Sequence, residues 1–327
     1  MLFRSSFGAD LCDILEKLAF NVLPAAIDPQ SGLTQAVQQT NQLNIAGGAH
    51  AWYNAPEDAN VFSSDCMRGS IFAAAGALGG FAASLWQATA DGGLSAVSYP
   101  SCMLTHVIDG TQVKLNVESD YPFTDSIKIS VNTAKPLEFP LYLRIPFWAV
   151  SPMIHLPNGE IMSVRAGETA CVRQRWTSDC EIRLVLPAAC RLSRWSRQSA
   201  AVELGPLLMA LPLRERTAGG KSEMGAKTCE WALDGDWAYA LEAEDIMKLT
   251  WPENEKTGFI RGTGMPKVLV KLSKTALWEK TGADAGAIPI LPPCGREETK
   301  ALELIPYGAT KLRIAQFPIA KTEENNA

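Results

Sequence analysis

The sequence predicts a mainly β protein: two β-sandwich-type domains preceded by a short helical piece. Apolar spacing is helical early in the chain and switches to a period of two from Gly92 onward. Turn-forming residues break the later region into many short runs, the pattern of antiparallel sandwiches. A Gly- and charge-rich stretch, Arg214 to Gly225, reads as an internal linker. The predicted division is therefore 1–90 helical, 91–213 the first sandwich, 227–318 a second β-rich domain, and 319–327 a frayed polar tail.

In the helical piece, Leu11, Ile14, Leu15 and Leu18 recur at helical spacing, with Asp10 as a cap and Pro24 and Pro29 as terminators. Met67 to Ala88 reads as a buried helix with a kink at Gly79-Gly80. Between them, Ser31 to Ala59 is polar and aperiodic. It reads as a long loop over a surface or pocket, and loops beyond about 12–15 residues are more often functional or disordered than incidental. The β region begins with Gly92–Tyr99, Thr111–Glu118, Ser126–Asn132 and Phe139–Ile145, separated by Asp109-Gly110, Asp120-Tyr121-Pro122 and Ala134-Lys135-Pro136. Further runs follow at Glu181–Leu186, Ala201–Leu211, Lys267–Leu272, Ala301–Ile305 and Lys311–Phe317. Helices alone cannot close a core here, so they must pack on a sandwich or on something else.

The 327 residues are 47% hydrophobic and 20% charged, with a formal net charge of -5. That is the balance of a globular protein with a sizeable core. Mild acidity without a basic stripe argues against nucleic acid, which needs clustered Lys and Arg. No run reaches the roughly 18 apolar residues of a transmembrane helix, so no membrane partner is expected. The first residues carry Asp10, Asp13 and Glu16 within their apolar stretch, unlike a signal peptide. The eight cysteines are scattered, without C-x-x-C pairs. Free thiols fit a reducing compartment, and the expected location is cytoplasmic.

Four segments carry a family resemblance. They are L-E-K-L-A-F-N-V-L-P-A-A at Leu15–Ala26 and F-A-A-S-L-W-Q-A-T-A-D-G-G-L-S-A-V-S-Y at Phe81–Tyr99. Next come Asp120-Tyr121-Pro122-Phe123 with L-R-I-P-F-W-A at Leu143–Ala149, and E-L-G-P-L-L at Glu203–Leu208 with L-I-P-Y-G-A-T-K-L-R-I at Leu304–Ile314. In this order the chain resembles the glycoside hydrolase family 127 (GH127) enzymes, the β-L-arabinofuranosidase-like group. The resemblance implies an (α/α)6 helical barrel followed by β-sandwich domains, with residues 1–90 as the C-terminal remnant of that barrel. It implies retaining hydrolysis of terminal β-L-arabinofuranosides on plant-type glycans. A zinc-held cysteine thiolate is the nucleophile and a glutamic acid protonates the leaving oxygen. Zinc deprotonates a thiol, which makes a nucleophile at neutral pH, and the acid needs a raised pKa.

The chain departs from the family pattern in two places. The upstream barrel, with its glutamate–cysteine segment and the acid, has no counterpart in these residues. Where the family carries Cys-Cys-Thr-x-Asn, Ser63–Gly80 holds Cys66 beside Asp65. Cys66 is the candidate nucleophile and zinc ligand, with Asp65 or His50 as helpers. Its other reading is a small buried thiol at a helix start. Asp65 with Glu57 is a candidate acid/base pair, or part of a solvated loop. In place of the family's H-Q-Y-x-Q-x-x-N-Q stands Thr34-Gln35-Ala36-Val37-Gln38-Gln39-Thr40-Asn41-Gln42. Gln38, Asn41 and Gln42 are candidates to hydrogen-bond sugar hydroxyls. Trp52 and Tyr53 are candidate stacking platforms or core residues. His106 and His155 read as structural or surface residues. The expected function is a GH127-like glycosidase, truncated and inactive alone. The alternatives are a non-catalytic carbohydrate-binding or scaffold module, and one half of a split glycosidase. Expected partners are carbohydrate and either a second copy of the chain or the missing N-terminal half.

Overall fold

Alternation decides which face of each strand is dry. In Thr111–Ser119 and Ser126–Thr133 every second residue is apolar, and Val113, Leu115, Val117, Ile127, Ile129 and Val131 are buried. Their neighbours point to the opposite face. Each full burial of a Val, Leu or Ile is worth about 1.5–3 kcal/mol before chain entropy is counted. The computed structural model describes residues 9–48, 50, 60–64, 70–219, 222–223, 226–242, 248–252, 256–260, 263–293 and 299–321. The chain divides into two units, residues 1–19 with 79–189 and residues 20–78 with 190–327.

The first unit is a sandwich. One sheet is six-stranded and antiparallel, in the order Ile161–Ser163, Met153–His155, Cys180–Val185, Ser126–Thr133, Thr111–Ser119, Cys102–Ile108. The other runs Thr169–Trp176, Leu137–Arg144, Leu94–Ala96, Trp86–Ala88. Trp176 is fully buried, packs against Phe139 at 5.5 Å and donates its indole N–H to the Phe139 carbonyl at 2.9 Å. The large ring thus enters the core without an unpaired polar atom.

Helix Ala9–Lys17 belongs to this unit, and its packing reverses the expected stripe. Ile14 and Leu18 are exposed, while Glu16 is fully buried. The cause is Arg144, itself 3% exposed. It pairs with Glu16 at 2.5 Å and with Asp13, and donates from Nε to the Val97 carbonyl at 2.7 Å. Ser98 and Tyr121 also donate to Glu16, at 2.5 and 2.7 Å. Burial pushes the Glu16 carboxyl above the ordinary carboxylate range, against the opposing pull of Arg144 and these donors. Pro24 does not end the helical run. A π-helical stretch, Leu18–Val22, leads into a short helix, Leu23–Ala25, that contains it.

The second unit holds a ten-stranded sheet along Cys190–Trp195, Ser199–Leu204, Leu207–Pro212, Thr299–Pro306, Lys267–Lys274 and Tyr239–Leu241, and a separate six-stranded one. Residues 190–213, expected to end the first sandwich, lie in this unit together with residues 20–78. Within the expected linker, Glu215–Gly219 pairs antiparallel with strand Ala226–Leu233. Ser31–Ala59 is not simply a surface loop, since Thr34–Gln35, Asn41–Gln42 and Asn44–Ile45 are short strands woven into these sheets. The tail is partly fixed. Ile319 and Ala320 are buried, and Ala320 N–H donates to the Leu241 carbonyl at 2.9 Å.

Helix Ser70–Ser84 runs unbroken through Gly79-Gly80, so the expected kink is absent. It is not buried as expected. Ala74 is covered, but Phe72 is 68% and Leu78 47% exposed, and a Cβ at Gly76, Gly79 or Gly80 would meet open space.

In the second unit, Asp28 is 4% exposed and accepts from the Ser31 hydroxyl and N–H, and from Lys311 at 3.1 Å. Burial acts to raise its pKa. The Ser31 and Lys311 hydrogen bonds and the Lys311 charge together outweigh it, and the pKa falls below the ordinary 3.8. A lowered carboxylate pKa adds stability above the ordinary value and loses it as pH falls through the folded-state value. The denaturation free energies of wild type and Asp28→Asn should therefore converge on acidification below pH 3.8. A constant gap from neutral to acid pH would refute this. In the first unit, Glu16→Ala should cost about 3–5 kcal/mol in chemical denaturation, since it removes one of the two carboxylates paired with the buried Arg144 and the acceptor of Ser98 and Tyr121. Glu16→Gln should recover little, because the new NH2 faces donors. Ile14→Ser on the exposed side should stay within about 0.5 kcal/mol.

Candidate functional site

The polar segment 34–42 reads as the mouth of a sugar site, so the partners of its amides decide what it can do. A buried amide must have its N–H and C=O groups satisfied by something, whether protein, water or ligand. Here the protein satisfies them. Gln38 donates to the Val22 carbonyl at 2.9 Å, and its Oε1 accepts from Tyr307 and Arg313, both at 3.2 Å. Asn41 donates to the Gln316 carbonyl at 3.0 Å and accepts the N–H groups of Ala315 and Gln316 at 3.0 Å. Gln42, 1% exposed, donates to the Lys311 carbonyl at 2.9 Å and accepts from Gln39 N–H at 3.1 Å. These three amides knit the segment to strand Arg313–Ile314, which pairs with Asn41–Gln42. These bonds tie the three side chains to the fold and use one N–H of each amide.

Arg313 stands at the centre of that join. It is fully buried, lies 3.9 Å over the Tyr307 ring, and donates to the carbonyls of Gln39, Thr310 and Lys311 at 2.9–3.2 Å. Burial lowers its pKa from the usual value, with Tyr307 working the other way. Among the described residues its acceptors are neutral. Such a cation is held by carbonyl dipoles and a ring face in place of a counter-ion.

A second cluster gathers Gln35, Asn60, His50 and Asp284. Gln35 donates to Asn60 Oδ1 at 2.6 Å, and Asn60 Nδ2 lies 3.4 Å from His50 Nε2. His50 Nδ1 is 3.0 Å from Asp284 Oδ2, and its Nε2 is 3.2 Å from the Ala46 carbonyl. Both side chains of the His50–Asp284 pair are at most 10% exposed. His50 and Asp284 give two possible ligands among the described residues, fewer than the three or four of a zinc site. No group of His, Cys, Asp and Glu among the described residues is arranged to hold one. Cys66, Asp65, Glu57, Trp52 and Tyr53 lie outside the described residues.

Sequence reading missed the residues that do most here: Arg313, Asp284, and in the first unit Arg144 with Glu16. A signal for the arginines was present. Each Leu-Arg-Ile string, at Leu143–Ile145 and Leu312–Ile314, sets a charge between apolar residues in a strand. A charge flanked in this way is buried with its partners or turned to the wet face, and here both are buried.

The chain can now be set beside known proteins. The family model for the GH127 middle domain of beta-L-arabinofuranosidase matches residues 97–188. No curated protein matches the chain. Among solved structures it is similar to a GH127 beta-L-arabinofuranosidase from Geobacillus stearothermophilus T6, with a TM-score of 0.64 and 19% identity over 97% of this chain and 47% of that one. It is similar to a protein described as a glycoside hydrolase, TM-score 0.66 and 19% identity, over 96% of this chain and 49% of that one. It is also similar to a GH127 beta-arabinofuranosidase, TM-score 0.60 and 16% identity, over 95% and 46%. The chain thus spans about half the length of the solved relatives it matches. No helix among the described residues is long and apolar enough to cross a membrane. The chain carries the GH127 middle domain at residues 97–188, within a mainly β fold shared with part of the solved GH127 proteins.

Proposed function

We propose that this chain is the β-rich part of a GH127-type glycoside hydrolase acting on terminal β-L-arabinofuranosides, and that it does not turn over substrate by itself. The match of residues 97–188 to the GH127 middle domain carries the reading. The state of helix Ser70–Ser84 supports incompleteness. A helix apolar on every side belongs in a core, yet Phe72 and Leu78 are open to solvent. A complementary helical half, or a second copy of the chain, would cover it. Cys66 as zinc-held nucleophile and Trp52 and Tyr53 as stacking residues remain part of the proposal, to act once that half is in place. A cytoplasmic location belongs to it too, and the free Cys12, Cys102, Cys171, Cys180, Cys190 and Cys229 support it.

The commitment of Gln38, Asn41 and Gln42 to backbone partners favours a second reading, a non-catalytic module that binds carbohydrate or serves as scaffold. Assay of the purified chain against p-nitrophenyl β-L-arabinofuranoside with added zinc separates the two. No release of nitrophenol is expected from the chain alone, and release is expected after addition of the helical half of a GH127 relative. Turnover by the chain alone would overturn the incomplete-site reading. Silence of a reconstituted, stoichiometric complex would leave the non-catalytic reading.

A further inference from the structure

The described residues of the first unit hold a concavity of their own. It has a volume of about 290 Å³ and is lined by His155, Leu156, Pro157, Asp179, Glu181 and Arg183. Two turns wall it. Leu156 N–H donates to the Glu160 carbonyl at 2.8 Å and Gly159 N–H to the Leu156 carbonyl at 3.0 Å, closing one turn. Asp179, with φ 65°, makes the other. The strands between set the floor: His155 stands beside Arg183, and Arg183 beside Lys128. The side chains of His155 and Asp179 make no hydrogen bond or ion pair among the described residues. Arg183 comes no nearer than 3.9 Å to a Glu181 oxygen, and Glu181 pairs with Lys128 at 3.2 Å.

We propose that this concavity binds one ring of a neutral sugar. Asp179 and Glu181 share the lining with Arg183, and Lys128 beside it is divided between Glu181 at 3.2 Å and Glu118 at 3.6 Å, so the concavity offers both acceptors and a donor without a bare cation for an anion. Its His, Asp and Glu are not arranged to hold a metal. Carboxylates accept from vicinal hydroxyls, while the guanidinium and imidazole supply donors to the same hydroxyl row. Leu156 and Pro157 give an apolar patch for the C–H face of a ring. The volume lies just below the usual range of small-molecule pockets, which suits a single ring. The inference does not rest on the glycosidase reading, because it needs no turnover.

The His155 imidazole protons report on the site directly, and a His155→Gln variant assigns them among the three histidines. L-Arabinose and D-galactose are the probes, added to the full chain. A saturable shift of those resonances is expected, with Kd on the order of 1–10 mM for a ligand of this size. Arg183→Ala and Asp179→Asn should each weaken binding about tenfold without moving Tm, since both side chains are exposed. His155 resonances unmoved at about 100 mM of either sugar would overturn the proposal. So would wild-type affinity in both variants, or a saturable response to inorganic phosphate or calcium at lower concentration than to the sugars.

Discussion

A guanidinium taken out of water must be compensated by acceptors around it, and this requirement shapes both units. Arg144 meets it with carboxylates, drawing Asp13 and Glu16 from helix Ala9–Lys17 onto the sandwich. That demand turns the helix over, so its charged edge goes inward and Ile14 and Leu18 go out. Arg313 meets the same demand without a carboxylate, collecting carbonyls from segment 38–42 and from its own turn. In each case a distant piece of chain is fixed in place because a buried charge admits few arrangements. The geometry of the helix and of the polar segment follows from these contacts more than from local propensity.

Such contacts explain which parts of the fold were legible in the sequence. The strands from Thr111 to Arg144 could be read because their signal is local: alternation, short length and breakers lie within a few residues of one another. The assignment of residues 190–213 could not. Leu207–Pro212 pairs with Thr299–Pro306 across some ninety positions, and nothing within the segment names that partner. The same blindness made a linker of Arg214–Gly225. Glycine and charge mark a hairpin turn as readily as a flexible tether, and only the pairing of Glu215–Gly219 with Ala226–Leu233 decides.

The candidate site shows the limit more sharply. Gln38, Asn41 and Gln42 are the residue types that grip sugar hydroxyls, and they are also the types that bridge irregular backbone. Composition does not separate the uses; the neighbours do. Here the neighbours are the carbonyls and N–H groups of Val22, Lys311 and Gln316, which belong to segments that make no regular ladder along their whole length. Without the amides those groups would each lose a hydrogen bond, at about 0.5–1.5 kcal/mol each. That cost gives the segment its polarity, independently of any ligand.

Helix Ser70–Ser84 poses the opposite problem, too much apolar surface and too little to cover it. Its sequence reads as buried because a helix without a polar face has no stable place in water. The structure leaves Phe72 in solvent and open space over Gly76, Gly79 and Gly80. The sequence reading and the structure are reconciled if the environment that selected these residues is larger than the described fold. The solved GH127 proteins are about twice as long as the part this chain matches, so the fold is known in a larger setting. Small residues on the helix would let a neighbouring backbone approach closely there, and Phe72 would supply the side chain to fill the gap. The same helix alone, in water, gains nothing from either feature, and this asymmetry is the physical argument behind the proposal of a larger assembly.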